Sequence, residues 1–162
     1  MMRASLGAGL SLLSLAACPQ PEDPGPDKLF DDPSMAGMVE VVPCKQSHEH
    51  ELHHVEIFAD PASAELFQTC VLDQANCDPF PAGSLFVKRE FEYPGCKPED
   101  LVSYTSSLKL EAGSYPDGRD WHWQNQDADL TVTEDGAPFF CIACHVDHCS
   151  PPYGWDMRCI PD

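Results

Sequence analysis

The five residues Cys141-Ile142-Ala143-Cys144-His145, near the C-terminus, constrain this chain more than any other stretch. Two thiols about one helical turn apart, followed at once by an imidazole, form the Cys-x-x-Cys-His signature through which c-type haem is attached. Each thiol can form a thioether with a haem vinyl group, and the histidine can place a nitrogen on the iron. The spacing therefore predicts one covalent haem c, held by Cys141 and Cys144, with His145 as the iron ligand. Axial ligation, burial and polarity then decide between electron transfer and small-molecule chemistry.

The N-terminus fits an exported protein. Residues 1–17 carry one cation, Arg3, no acidic residue, and an apolar run from Ala4 to Ala17. That is a secretory signal and too short to span a membrane. It ends Leu15-Ala16-Ala17-Cys18, which resembles the lipobox of bacterial lipoproteins, where the equivalent cysteine is diacylated and becomes the mature N-terminus. The alternative is an ordinary signal peptide cut at Ala17, with Cys18 left for a disulfide. Acylation at Cys18 would make the membrane contact a lipid anchor only. Pro19 rather than Asp after the cysteine points to an outer membrane. From Cys18 to Asp27 come four prolines and three acids, an extended tether that cannot build a core. The division expected is signal peptide 1–17, tether 18–43 and one domain 44–162.

Charge and cysteine content narrow the partners and the compartment. Against 9 Lys and Arg stand 27 Asp and Glu, for a formal net charge of −18. This excludes nucleic acid and anionic lipid as natural partners and suits a basic redox partner protein. With Cys18, Cys141 and Cys144 set aside, six cysteines remain, which in an exported chain read as up to three disulfides. Their connectivity stays open. Cys70 with Cys77 closes a short loop and Cys149 with Cys159 staples the tail, which leaves Cys44 with Cys96.

Along the mature chain, residues 28–43 predict a short helix and an entering strand, with Met35 and Met38 among its apolar positions. Ser47 to Ala59 begins with His48, His50, His53 and His54, four of the seven histidines, and ends as a strand. Neutral imidazoles there suit Zn, Cu or a haem iron, but no metal-site spacing is completed. The cluster therefore reads as an exposed His/Glu loop, with a role near the haem open for His53 or His54. Asp60-Pro61 opens a helix whose Leu66 and Phe67 face the core. Ser84 to Glu92 is a strand in which Phe86, Lys88 and Glu90 share a face, and a lysine in such a strand is usually a solvated outward residue or a gatekeeper on an edge. Val102 to Leu110 and Arg119 to Asn125 form a hairpin with Trp121 and Trp123 on one side. Asp127 to Pro138 reads as acidic turns, and Phe139 and Phe140 lead the haem-motif helix into the core. The class predicted is α+β, a small antiparallel β-sheet with flanking helices and a C-terminal helix carrying the motif.

The succession Ile57-Phe-Ala-Asp-Pro-Ala-Ser63, Gly83-Ser-Leu-Phe-Val-Lys-Arg-Glu90, Asp120-Trp-His-Trp123 and Cys141-Ile-Ala-Cys-His145 resembles the cytochrome P-460 family, from about His53 to His145. The resemblance implies a periplasmic, mono-haem and often dimeric protein with an antiparallel sheet. Enzymatic members oxidise hydroxylamine and cross-link a strand lysine to the haem ring; here that lysine would be Lys88. Related cytochromes c′-beta lack the cross-link and bind nitric oxide in an apolar distal pocket. Where catalytic relatives carry an arginine before the Asp-Pro helix, this chain reads His53-His54-Val55. Three functions follow as expectations. A haem oxidoreductase would act on a small nitrogen compound, with Lys88, His53, His54 and Glu90 as catalytic candidates. A gas-binding cytochrome would line its distal site with Phe86, Phe91 or the tryptophans. An electron carrier would take Met157, Met35 or a histidine as sixth ligand.

Overall fold

The computed structural model describes residues 26–48, 50–73 and 77–160. The signal peptide expected at 1–17, the acylation expected at Cys18 and the start of the expected tether lie outside the described residues. Strand alternation lays down the sheet. Six strands, β1 (Val39–Gln46), β2 (His54–Ala59), β3 (Leu85–Phe91), β4 (Leu101–Lys109), β5 (Trp121–Asp127) and β6 (Val132–Gly136), lie antiparallel in sequence order. The fold is α+β with an antiparallel sheet and few helices, as the patterns predict. The unexpected strand is β6, in the stretch read as turns. It is an edge strand of Val-Thr-Glu-Asp-Gly with no buried residue, so no alternation marks it in the sequence.

Helix α1 (Pro61–Leu66) starts at Asp60, whose Oδ1 accepts the N–H groups of Ala62 and Ser63 at 3.1 and 3.0 Å. Its Oδ2 accepts the N–H of Leu85 at 2.9 Å, so one carboxylate caps the helix and ties it to β3. A π-helical turn, Phe67–Leu72, follows. Helix α2 (Phe139–His148) carries the Cys-x-x-Cys-His sequence, and the tail folds back as the two-stranded ribbon β7 (Gly154–Trp155) and β8 (Arg158–Cys159).

These pieces cover one face of the sheet, where Phe67, Val71, Phe86, Trp121, Trp123, Ile142 and Met157 form a buried cluster. The N-terminal segment covers the other face, with Phe30 and Met35 against Val87 and Tyr104. Part of the segment expected as tether, from Phe30 on, therefore belongs to the fold. A boundary at 43/44 falls inside β1, and Phe30 is already core because the second sheet face needs a cover. Phe139 and Phe140 depart in the other direction: they are 76% and 84% exposed rather than buried. The disulfides Cys44–Cys96, Cys70–Cys77 and Cys149–Cys159 join the expected pairs. No helix among the described residues is long and apolar enough to cross a membrane.

Candidate functional site

Sheet register builds the floor of a cavity. It sets Ile57, Lys88 and Thr105 side by side in one row, and Phe86, Ser107 and Trp123 in the next. Over these rows His50 comes from the turn after β1, Phe67 from the π-helical turn, His145 from α2 and Arg158 from β8. The space is partly open and about 100 Å³, smaller than the ~150 Å³ apolar cavity that takes a benzene. It suits a molecule of a few heavy atoms.

Lys88 points into this cavity and not to solvent, because β3 is covered on both faces. Its Nζ lies 2.9 Å from Glu90 Oε1, which also accepts the Thr105 hydroxyl at 2.9 Å. Burial alone would raise the Glu90 carboxyl, but the Lys88 charge and these hydrogen bonds hold it down at about 2. Lys88 and Glu90 thus stand as a paired cation and anion beside the cavity.

His145 is oriented from behind. Its Nδ1 lies 2.7 Å from the Met157 carbonyl, which can only accept, so Nδ1 carries the proton and Nε2 the lone pair. Burial, aided by the Arg158 charge, pushes its pKa down to about 3 and keeps the ring neutral. Trp123 packs edge-on at 4.7 Å between ring centroids. An imidazole held in this way keeps its Nε2 lone pair and could ligate a metal. The histidine also lies with the sulfurs of Cys149 and Cys159 inside one 4.8 Å group, but those sulfurs are spent in a disulfide and are not thiolate ligands. Cys141 and Cys144 are thiols, half-buried on the same helix. Burial raises the Cys141 thiol, while Lys88 pulls against that rise.

The histidine cluster divides across the sheet. His50, set aside with the loop, is the one that lines the cavity. Ser47 Oγ holds its Nδ1 at 2.7 Å, and its ring centroid is 6.5 Å from that of His145. Burial and the Lys88 charge bring its pKa down to about 4. His53 reaches only the outer oxygen of Glu90, at 3.4 Å. His54 points the opposite way along β2, against Tyr93, because neighbours on a strand alternate faces. Of the sixth-ligand candidates, Met35 lies across the sheet and Met157 is buried in the core. Phe86 is in the cavity wall, whereas Phe91 pairs with His54 and Leu101 away from it. Arg158 was not expected either, since nothing in the Pro-rich tail announces an inward arginine.

A larger open cleft, about 550 Å³, lies beside Phe80, Arg119 and Trp155. Its charged centre is already satisfied: Lys109 Nζ meets both oxygens of Asp156 and the Arg119 carbonyl, and the Phe80 N–H completes Asp156. The small cavity is the one that keeps chemically unspent groups. Scanned against protein-family models and compared with curated proteins and solved structures, the chain matches none.

Proposed function

We propose that this chain is an exported mono-haem c-type cytochrome, resembling the cytochrome P-460 family, that oxidises hydroxylamine or a related small nitrogen species. The observation that carries the reading is the convergence of Lys88 and His145 on one small cavity beside the Cys141–Cys144 helix turn. The donor set fits the group. Cys141 and Cys144 would bind it covalently, and His145 offers Nε2 with Nδ1 already anchored. The exposed rings of Phe139 and Phe140 supply apolar surface at the start of the same helix. The partly open 100 Å³ suits a small substrate and not a porphyrin, so the fit rests on the donors. A bound haem would supply one-electron oxidation at its iron.

The chain's own residues then have separate tasks. His50, neutral near pH 7, can accept a proton from a small substrate in the cavity. Glu90 keeps Lys88 in place and shares its charge, while Thr105 fixes the carboxylate. Phe67, Phe86 and Ile57 hold water out. Acylation at Cys18 would keep the protein on the membrane, with its acidic surface turned to a basic redox partner.

His50 also favours a second reading, an electron-transfer cytochrome. Both His50 and His145 have Nδ1 engaged and share the cavity, so His50 would be the second histidine able to hold the iron of a bound haem. The ferrous visible spectrum separates the two. A red-shifted Soret band that Lys88→Ala abolishes marks the cross-linked, catalytic form. An ordinary low-spin c-type spectrum that turns high-spin in His50→Ala marks the carrier and rules out the oxidase.

A further inference from the structure

The Arg158 guanidinium is enclosed by three aromatic rings, with Cζ 4.9, 4.2 and 4.9 Å from the centroids of Phe86, Trp121 and Trp123. The residue is 7% exposed and lines the cavity. Its Nη1 donates to Ser107 Oγ at 2.8 Å. Its Nε and Nη2 have no hydrogen-bond partner among the described residues. Those two N–H groups lie on one edge of the guanidinium and form the paired fork that matches two oxygens of a planar anion. The nearby carboxylate does not fill it, because both oxygens of Asp156 are taken by Lys109 and one also by the Phe80 N–H.

A buried charge with an unmet fork is costly to fold, and here the cost falls in a cavity wall where a ligand can reach it. The indole Nε1 of Trp123, in the same wall, is also buried without a partner among the described residues. Around the cavity Lys88 is paired with Glu90, and Asp156, whose charge also reaches Arg158, is held by Lys109, so three cations stand against two carboxylates. The cavity is therefore a positive spot inside a chain of formal net charge −18.

From this geometry we propose that the cavity is an oxyanion site, in which the Nε/Nη2 fork of Arg158 binds a small planar carboxylate or nitrite-type group. The inference does not depend on haem, but a haem could itself supply the group through a propionate carboxylate, so the two sources must be told apart. Nitrite and formate are titrated calorimetrically into the mature protein as isolated, against matched chloride, and intact mass records whether haem is attached.

If the occupant is a free oxyanion, both anions bind, and Arg158→Lys weakens them at least ~10-fold because an ammonium has no fork. If it is the cofactor's carboxylate, the haem-loaded protein gives no heat. The C141A/C144A chain then binds the anions, and Arg158→Lys shifts the propionate vibrations of the loaded protein. Either result supports the site and identifies its source. Absence of heat in both forms, with propionate vibrations unchanged by Arg158→Lys, overturns it. The titrations of chains that keep Arg158 decide the point even if Arg158→Lys folds poorly. A chain without haem is read by its anion titration alone, so failure of the cytochrome reading and failure of this site are distinguishable.

Discussion

At the residue scale, His50 and Glu90 set how the fold answers to acid. His50 titrates near 4 in the fold against 6.5 ordinarily, so the native state favours its neutral form. That stabilisation is complete above about pH 6.5 and is lost as the pH falls toward 4, with a slope of up to ~1.4 kcal/mol per pH unit. Glu90 has its pKa lowered from 4.5 to about 2, so its share is complete above about 4.5 and is lost below that. Urea unfolding at pH 7, 6 and 5 is expected to show stability falling with pH, and His50→Asn to flatten that fall. Protonating other carboxylates relieves repulsion in so acidic a chain, so the difference between variant and wild type is the readout. An unchanged slope in His50→Asn would contradict the burial of a neutral ring. The strand that carries Lys88 and the helix that carries His145 were legible in the sequence, but the inward direction of Lys88 was not, because strand alternation alone does not say that both faces are covered. His50 was not, because a turn residue carries no periodicity. Arg158 gave no signal beyond the apolar Trp155 and Met157 around it.

At the element scale, the tail works as a clamp. The β7–β8 ribbon brings Gly154 so close to the backbone of Arg158 and Cys149 that an added Cβ would collide with it. Gly154→Ala is expected to cost ~1–3 kcal/mol in urea unfolding, since backbone and not a flexible side chain would have to move. The disulfides differ in reach. Loop entropy assigns about 4 kcal/mol to Cys44–Cys96, which spans 52 residues, and about 2 kcal/mol to Cys70–Cys77, which spans 7. Replacing the first pair by alanines should therefore lower stability more than replacing the second, and equal losses would contradict that ranking. Strands β3 and β5 were readable from alternating and aromatic residues, although both of their faces are covered. The edge strand β6 was not, and the exposure of Phe139 and Phe140 runs against the usual fate of a Phe-Phe pair.

At the scale of the whole molecule, one sheet is buried on both sides and one of those sides holds the chemistry. The net charge of −18 bears on association more than on the fold. Electron exchange with a basic partner is expected to slow as ionic strength rises through ~0.15 M, where screening shortens to about 8 Å. A salt-independent rate measured by stopped flow would argue for a neutral partner surface. The cavity's position was partly legible, since the motif and the Lys88 strand both point to it. What decides its polarity comes from the β1–β2 turn and the tail, where chain direction is set by packing and disulfides and not by local pattern. The central claim is covalent haem at Cys141 and Cys144, and the intact mass of mature protein from cells that make c-type cytochromes tests it most directly. Covalent attachment gives the mass of the processed chain plus one haem, lost in C141A/C144A; a mass with no haem increment would contradict it.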